Sequence, residues 1–250
     1  MQTSLTFTQN ADLPVILDRL ERSYGRATRH KRDAMRQLIF MVVAQGAAPS
    51  VGLAVFDRLQ AVYPSWARLR DAEPRDLEAL FIGLPDRDKK ARAIPEILKA
   101  IEAEHGELDL DHLAEMSTDA ARIWLAALPG VSLSVASAVL AFSTLERPSL
   151  AVDRENVRPM RRLGLCPQGT PLSAVPREVM EGAPADWSGA QMASLSHGLG
   201  RLAATVCQRG KPACQRCPLM TLCPSSGHVA EVLAFPGAEA RQAWAAKRSA

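Results

Sequence analysis

Four of the chain's five cysteines, Cys207, Cys214, Cys217 and Cys223, fall within seventeen residues at the spacing C-x6-C-x2-C-x5-C. Four soft thiolates so placed can converge on one metal centre once short loops bring them round. Two disulfides packed so closely would need an oxidising compartment. Four-cysteine zinc sites usually come as two C-x2-C pairs separated by a longer spacer, whereas one such pair stands here. A [4Fe–4S] cluster is held by less regular spacings, so the pattern leans to iron–sulfur and leaves zinc open. Arg209, Lys211 and Arg216 place positive charge in the loops between the ligands. Cys166 lies outside the set and reads as a small buried hydrophobe.

A second arrangement that could do chemistry is Leu128-Pro129-Gly130-Val131-Ser132, which separates a helix beginning near Ser117 from one predicted over Leu133 to Phe142. Pro129 stops the first helix, Gly130 permits positive φ, and Ser132 can cap the second. The uncapped amides of such a helix start bind a phosphate well, although an ordinary αα-hairpin reads the same way in isolation.

The elements that must position these groups are helical. Apolar residues recur at helical spacing in Leu13, Ile16, Leu17, Leu20; Val55, Phe56, Leu59; Ile94, Ile97, Leu98, Ile101; and Ala121, Trp124, Leu125, Leu128. Prolines 64, 74, 85, 129, 148 and 167 cut the chain into helices of roughly 8 to 17 residues. Ser149-Leu150-Ala151-Val152 looks extended but does not make a sheet. Gly164 to Gly189 reads as a long connection ahead of a helix with Met192, Leu195, Leu199, Leu202 and Val206 on one face. After Cys223 comes an alanine-rich tail with Val229, Val232, Leu233 and Phe235, whose last ten residues are expected to be poorly ordered.

With 250 residues, 47% hydrophobic and 23% charged, the chain can bury a real core, and collagen, coiled-coil and wholly disordered readings fall away. The longest apolar run, Leu38 to Ala44, is far shorter than the ~20 residues a bilayer-spanning helix needs. Met1 to Pro14 carries no mark of an export signal, so a cytosolic location, on the nucleoid in a bacterium, is expected. Net charge is only +3, yet six of the thirty Lys and Arg residues are lysines and twenty-four are arginines. Arginine's planar fork suits phosphate, a lean towards nucleic acid.

Leu128-Pro129-Gly130-Val131, the apolar helix Val135 to Phe142, Val152-Asp153, Arg158, Arg162-Leu163-Gly164-Leu165 and the four cysteines occur in the order and approximate spacing of the endonuclease III family. From about Lys31 to Cys223 the chain resembles an iron–sulfur DNA glycosylase of the helix-hairpin-helix superfamily. The resemblance implies an all-α fold of two lobes with DNA held across the cleft between them. Residues 29–145 would form a six-helix barrel containing the hairpin. Residues 1–28 and 146–250 would join the amino-terminal helix to the lobe holding a [4Fe–4S] cluster on Cys207, Cys214, Cys217 and Cys223. The expected partner is double-stranded DNA with a lesion or abasic site, bound by a monomer.

Single residues carry further implications of that resemblance. Gln45, after Ala44, matches a glutamine that enters the gap left by a flipped base. Leu84, in Ile82-Gly83-Leu84 ahead of Lys90-Ala91, matches a wedge beside the flipped nucleotide, although the loop through Pro85-Asp86-Arg87-Asp88 is longer here and core burial is the simpler reading. Pro129, Gly130, Val131, Ser132, Arg209 and Lys211 would contact DNA. Asp153 matches the essential aspartate, whose carboxylate can stabilise an oxocarbenium-like sugar or help activate water, where the bland alternative is a helix cap. His197 reads as structural.

The departures bear on the chemistry. Where bifunctional members carry the lysine that forms a Schiff base, this chain has Ser134, which cannot. Adenine-removing relatives carry a glutamate five residues before the glutamine, and that position is Phe40. Ser132 replaces a glycine and Glu155 replaces a histidine. The expected activity is therefore hydrolysis of an N-glycosidic bond without strand cleavage. A bifunctional glycosylase/lyase using another amine and a non-catalytic lesion-binding relative remain the alternatives.

Overall fold

The computed structural model describes residues 12–27 and 32–227, and the opening residues and the tail with Val229, Val232, Leu233 and Phe235 lie outside them. Regular structure among the described residues is entirely helical. In chain order it comprises α1 (Leu13–Tyr24), α2 (Ala34–Ala44), α3 (Pro49–Val62), α4 (Trp66–Arg70), α5 (Pro74–Leu80), α6 (Arg87–His105), α7 (Thr118–Ala127), α8 (Leu133–Phe142), α9 (Val157–Arg162), α10 (Val175–Glu181) and α11 (Gly189–Thr205). Short polar side chains start several of them. Asp12, Asp33, Ser65, Ser117 and Ser132 each accept a backbone N–H of the first turn, and prolines open α3 and α5, where a missing N–H costs nothing.

Two helices depart from the sequence reading. α6 runs for 19 residues, longer than the 8 to 17 expected, and passes straight through Pro95, which is not among the prolines that cut the chain. An interior proline costs ~3 kcal/mol or more, but Ile94, Ile97, Leu98 and Ile101 on the same helix are all fully buried and each contributes about 1.5–3 kcal/mol. Burial outweighs the break. The supposed connection from Gly164 to Gly189 contains the seven-residue α10, which buries Val175 and Val179 and has a proline in its first turn.

By compactness the described chain divides into two units, 12–26 with 152–185 and 194–227, and 27 with 32–151 and 186–193. This differs from the boundaries at 28/29 and 145/146. Residues 146–151 stay with the hairpin unit because the Arg147 amide donates to Leu140 O at 2.9 Å and its side chain to Ala114 O, while the Gly189 amide donates to Glu146 O at 3.1 Å.

In the hairpin unit α8 is the central element: Val135 to Ala141 are seven consecutive buried residues, the pattern of a helix surrounded on every side. It packs on α7 and α2. α2 and α3 approach so closely that a Cβ at Gly52 would lie 2.7 Å from Ala44 Cβ, so only glycine fits beside the turn that carries Gln45. In the other unit α1 packs on α11, where a Cβ on Gly198 would come within 2.8 Å of Leu20 Cβ. Leu13, Ile16 and Leu20 of α1 and Leu195, Leu199 and Leu202 of α11 are all buried.

Candidate active site

In the hairpin, Leu128 O accepts the Val131 amide at 3.1 Å, Gly130 sits at φ +72°, and Ser132 Oγ accepts the Val135 amide at 3.2 Å. Val131 is buried and anchors the turn, leaving Gly130, Ser132 and Leu133 exposed. The turn thus presents backbone N–H groups at a helix start to solvent, an arrangement suited to an anion. Ser134 is half-buried in the first turn of α8.

Gln45 is exposed at the carboxy-terminal end of α2, and its turn is fastened by a residue sequence reading left without a role. Lys90, only 6% exposed, donates its ammonium to Val43 O at 2.9 Å and Gln45 O at 2.7 Å. A cation there complements the carbonyls that a helix end leaves unpaired. Burial holds its pKa below the ordinary lysine value. Leu84 is 7% exposed and belongs to the hydrophobic core, whereas Ile82, two residues earlier in the same loop, is 63% exposed. Leu84 is thus a core residue in this structure, the simpler of its two readings. Phe40 stands edge-on to Phe56 with ring centroids 5.4 Å apart, and the Arg32 guanidinium lies 4.1 Å above its ring. This position offers no carboxylate.

In the other unit, Asp153 is exposed at the turn that opens α9. Its Oδ1 accepts the amides of Glu155 and Asn156, both at 2.8 Å, and Asn156 Oδ1 accepts the Asp153 amide in return, also at 2.8 Å. This reciprocal cap is the bland role anticipated for the residue. It occupies one carboxylate oxygen, and Oδ2 has no hydrogen-bond partner among the described residues.

Glu155 follows on the same turn and binds two arginines, Arg158 Nη1 at 2.9 Å and Arg209 Nη2 at 2.6 Å. The hydrogen bond from Arg158 is the largest effect, and together with the charges of Arg209 and Arg158 it holds the carboxyl below the usual range against desolvation. Arg209, expected to be free for phosphate, thus has a protein partner. Arg158 also donates to Cys207 O at 2.7 Å and Ala203 O at 3.0 Å. Arg162 donates to Gln208 O at 3.0 Å and to Cys207 Sγ at 3.3 Å, and its own carbonyl accepts from Cys223 Sγ at 3.3 Å. α9 therefore joins the Asp153 turn to the cysteine loop. The i, i+3 spacing of Glu155 and Arg158 is a sequence signal for their pairing. No such signal links Glu155 to Arg209, 54 positions away.

Cys207, Cys214, Cys217 and Cys223 are all free thiols and line a single small cavity together with Arg162, Val206, Pro212, Met220, Ser225 and Ser226. Among the described residues no three His, Cys, Asp or Glu side chains are drawn together into a finished ligand set. The donor chemistry nevertheless fits a soft metal, with four thiols and no carboxylate or imidazole on the wall. Amides of Leu219 and Ser225 bond Cys217 and Cys223, whose thiols are pushed up first by burial and then by the other cysteines. Lys211 lies exposed on the loop. Cys166 is buried, as expected of a small hydrophobe.

No family model matches the chain. By sequence it is 28% identical over 131 residues to a protein of Arabidopsis thaliana that carries a provisional DNA glycosylase name, covering 52% of this chain and 44% of that protein. It is 34% identical over 103 residues to an endonuclease III of Synechocystis sp., covering 41% of this chain and 44% of the relative. The match thus spans less than half the length of either relative. A solved non-covalent endonuclease III–DNA complex superposes with a TM-score of 0.71 at 22% identity, over 92% of this chain and all of that one. The fold is that of the helix-hairpin-helix DNA glycosylases. Within that class it is the endonuclease III fold.

Proposed function

We propose that this chain is a monofunctional DNA glycosylase, which removes a damaged or mismatched base from duplex DNA by hydrolysis. The observation that carries the reading is Ser134 in the first turn of α8, directly behind a capped hairpin on an endonuclease III fold, where a Schiff base would need an amine. No described lysine lies in the hairpin. Lys90 is committed to two carbonyls and Lys89 to Asp86 at 3.0 Å.

In the proposed reaction the bond between the sugar carbon and the base nitrogen breaks, and its electron pair leaves with the base. Water forms the new bond to the sugar carbon and loses a proton to the Asp153 carboxylate or to solvent, while the departing base takes up one proton from solvent. Asp153 Oδ2 supplies the negative charge that stabilises the oxocarbenium-like sugar, while Oδ1 holds the turn. Hairpin amides of the exposed Gly130, Ser132 and Leu133, with Lys211, position the phosphate backbone. Gln45 fills the space that the extruded base vacates. The partner is double-stranded DNA with a lesion or abasic site, bound by a monomer in the cytosol, on the nucleoid where the cell is bacterial. Among the described residues no helix is long and apolar enough to cross a membrane.

Cys207, Cys214, Cys217 and Cys223 would hold the [4Fe–4S] cluster, which ties the loop together when bound. Base release itself runs through the residues above.

A panel of duplexes, each with one lesion, assayed with and without hot alkali, tests the assignment. Base release followed by strand breakage only after alkali is expected. Breakage without alkali, trapped by borohydride, would instead establish the lyase reading. Binding without release on every lesion would establish the non-catalytic one.

A further inference from the structure

The carboxylate of Glu155 holds two guanidinium groups whose situations differ. Arg158 is 14% exposed and keeps two backbone carbonyl partners besides Glu155. Arg209 is 71% exposed, and Glu155 is its one side-chain partner among the described residues. A carboxylate bound to an arginine fork by a 2.6 Å charge-assisted hydrogen bond has the geometry of a phosphate oxygen in the same place. If Glu155 loses one arginine to a competing anion, Arg209 must be the one to leave, because Arg158 is anchored from three sides.

We propose that Glu155 is a built-in competitor for the DNA backbone, occupying Arg209 until a phosphodiester displaces it. The inference rests on the reading of the protein as a duplex-binding glycosylase and adds to it an autoinhibitory ion pair. Binding of any duplex must first break the Glu155–Arg209 pair and then leave the Glu155 charge near the incoming backbone. Arg158 stays in place throughout, so the Asp153 turn and the cysteine loop keep their link while Arg209 changes partner. Phosphate contacts carry no base information, so the effect is the same on damaged and undamaged DNA.

The test compares the full-length protein with its Glu155→Gln, Glu155→Asp, Arg209→Ala and Glu155→Gln/Arg209→Ala variants, using fluorescence anisotropy on a short undamaged duplex. An exposed ion pair is worth little, so Glu155→Gln should tighten binding roughly two- to fivefold. Arg209 reaches the same phosphate in both complexes, so Glu155→Gln should keep the wild-type dependence of log K on log salt between roughly 50 and 200 mM, whereas Arg209→Ala, with one phosphate contact fewer, should make it shallower by about 0.9. The gain should vanish in the double variant. Glu155→Asp keeps the charge but shortens the reach, and should tighten binding by less. Thermal melting identifies any variant that fails to fold, and the remaining Glu155 variant then decides. Unchanged or weaker binding by the folded Glu155 variants overturns the proposal, as does a gain that survives in the double variant. If none of the proteins binds duplex, the nucleic-acid reading falls and takes this one with it. If they bind without a Glu155 effect, only the competitor falls.

Discussion

Asp153 carries both a structural and a proposed chemical role, and two substitutions separate them. Oδ1 accepts the amides of Glu155 and Asn156 at 2.8 Å each. Asparagine offers the same carbonyl oxygen and caps about as well as aspartate, whereas alanine removes the acceptor at a cost of about 1 kcal/mol. For a chain of this size that converts to a fall in Tm of roughly 2–4 °C for Asp153→Ala and under about 1 °C for Asp153→Asn. The charge is lost in both. If its role is to stabilise positive charge at the sugar, single-turnover base release should fall by on the order of 10²–10³ in each variant alike. The assays are differential scanning calorimetry and single-turnover release on whichever lesion the panel identifies. Activity equal to wild type in Asp153→Asn would refute the chemical role and leave a cap. Activity that merely tracks the Tm of the two variants would refute it as well.

Four further outcomes are expected. Lys90→Met should lower Tm by roughly 4–12 °C, from a net loss of about 2–3 kcal/mol as two charge-assisted hydrogen bonds disappear against the relief of desolvation. Because burial depresses the Lys90 pKa, the folded state sheds that proton first, so calorimetry should show stability rising with alkaline pH towards 10.5 in the wild type, a rise weakened in the variant. His112 is stacked on His105 at 3.7 Å, its pKa lowered first by burial and then by His105, so its folded state binds fewer protons and stability should be lost below about pH 6.5. Melting curves of His112→Phe, which keeps the stack, should show less of that acid loss. Ser134→Lys should introduce borohydride-trappable strand cleavage absent from the wild type. Metal analysis after anaerobic purification should find about four irons per chain, lost in Cys214→Ser, and stoichiometric zinc would refute the cluster.

What was legible in the sequence follows the range of the forces involved. Pro129, Gly130 and Ser132 act on their own neighbours through φ restriction, positive φ and capping, so the hairpin and both its helices could be read off with limits close to those observed. The cysteine spacing was readable for the same reason, since all four lie on one short loop. The helical stripe Ile94, Ile97, Leu98 and Ile101 was readable too, and the burial it supplies across α6 and its neighbours offsets the local cost of Pro95. α10 was missed because its seven residues are too few to establish a period amid Pro, Gly and Ser.

The candidate site was legible as residue types and much less as partnerships. Lys90 stood in the sequence as half of a Lys-Ala pair, but that its ammonium would fasten the Gln45 turn depends on α6 meeting the end of α2, 45 residues away. Leu84 and Ile82 are equally apolar, and only packing decides that the first is buried and the second exposed. Arg209 reads as a phosphate contact and Glu155 as a replacement for a histidine, and only folding makes them partners. The same contacts explain why capping and chemistry are compatible at Asp153. A carboxylate has two oxygens, and because the reciprocal cap with Asn156 engages Oδ1 alone, the turn that fixes the side chain also leaves Oδ2 available to a substrate. A glutamate in its place would have to extend one more methylene to make the same cap. Position 153 therefore suits an aspartate on structural grounds even before any reaction is assigned to it.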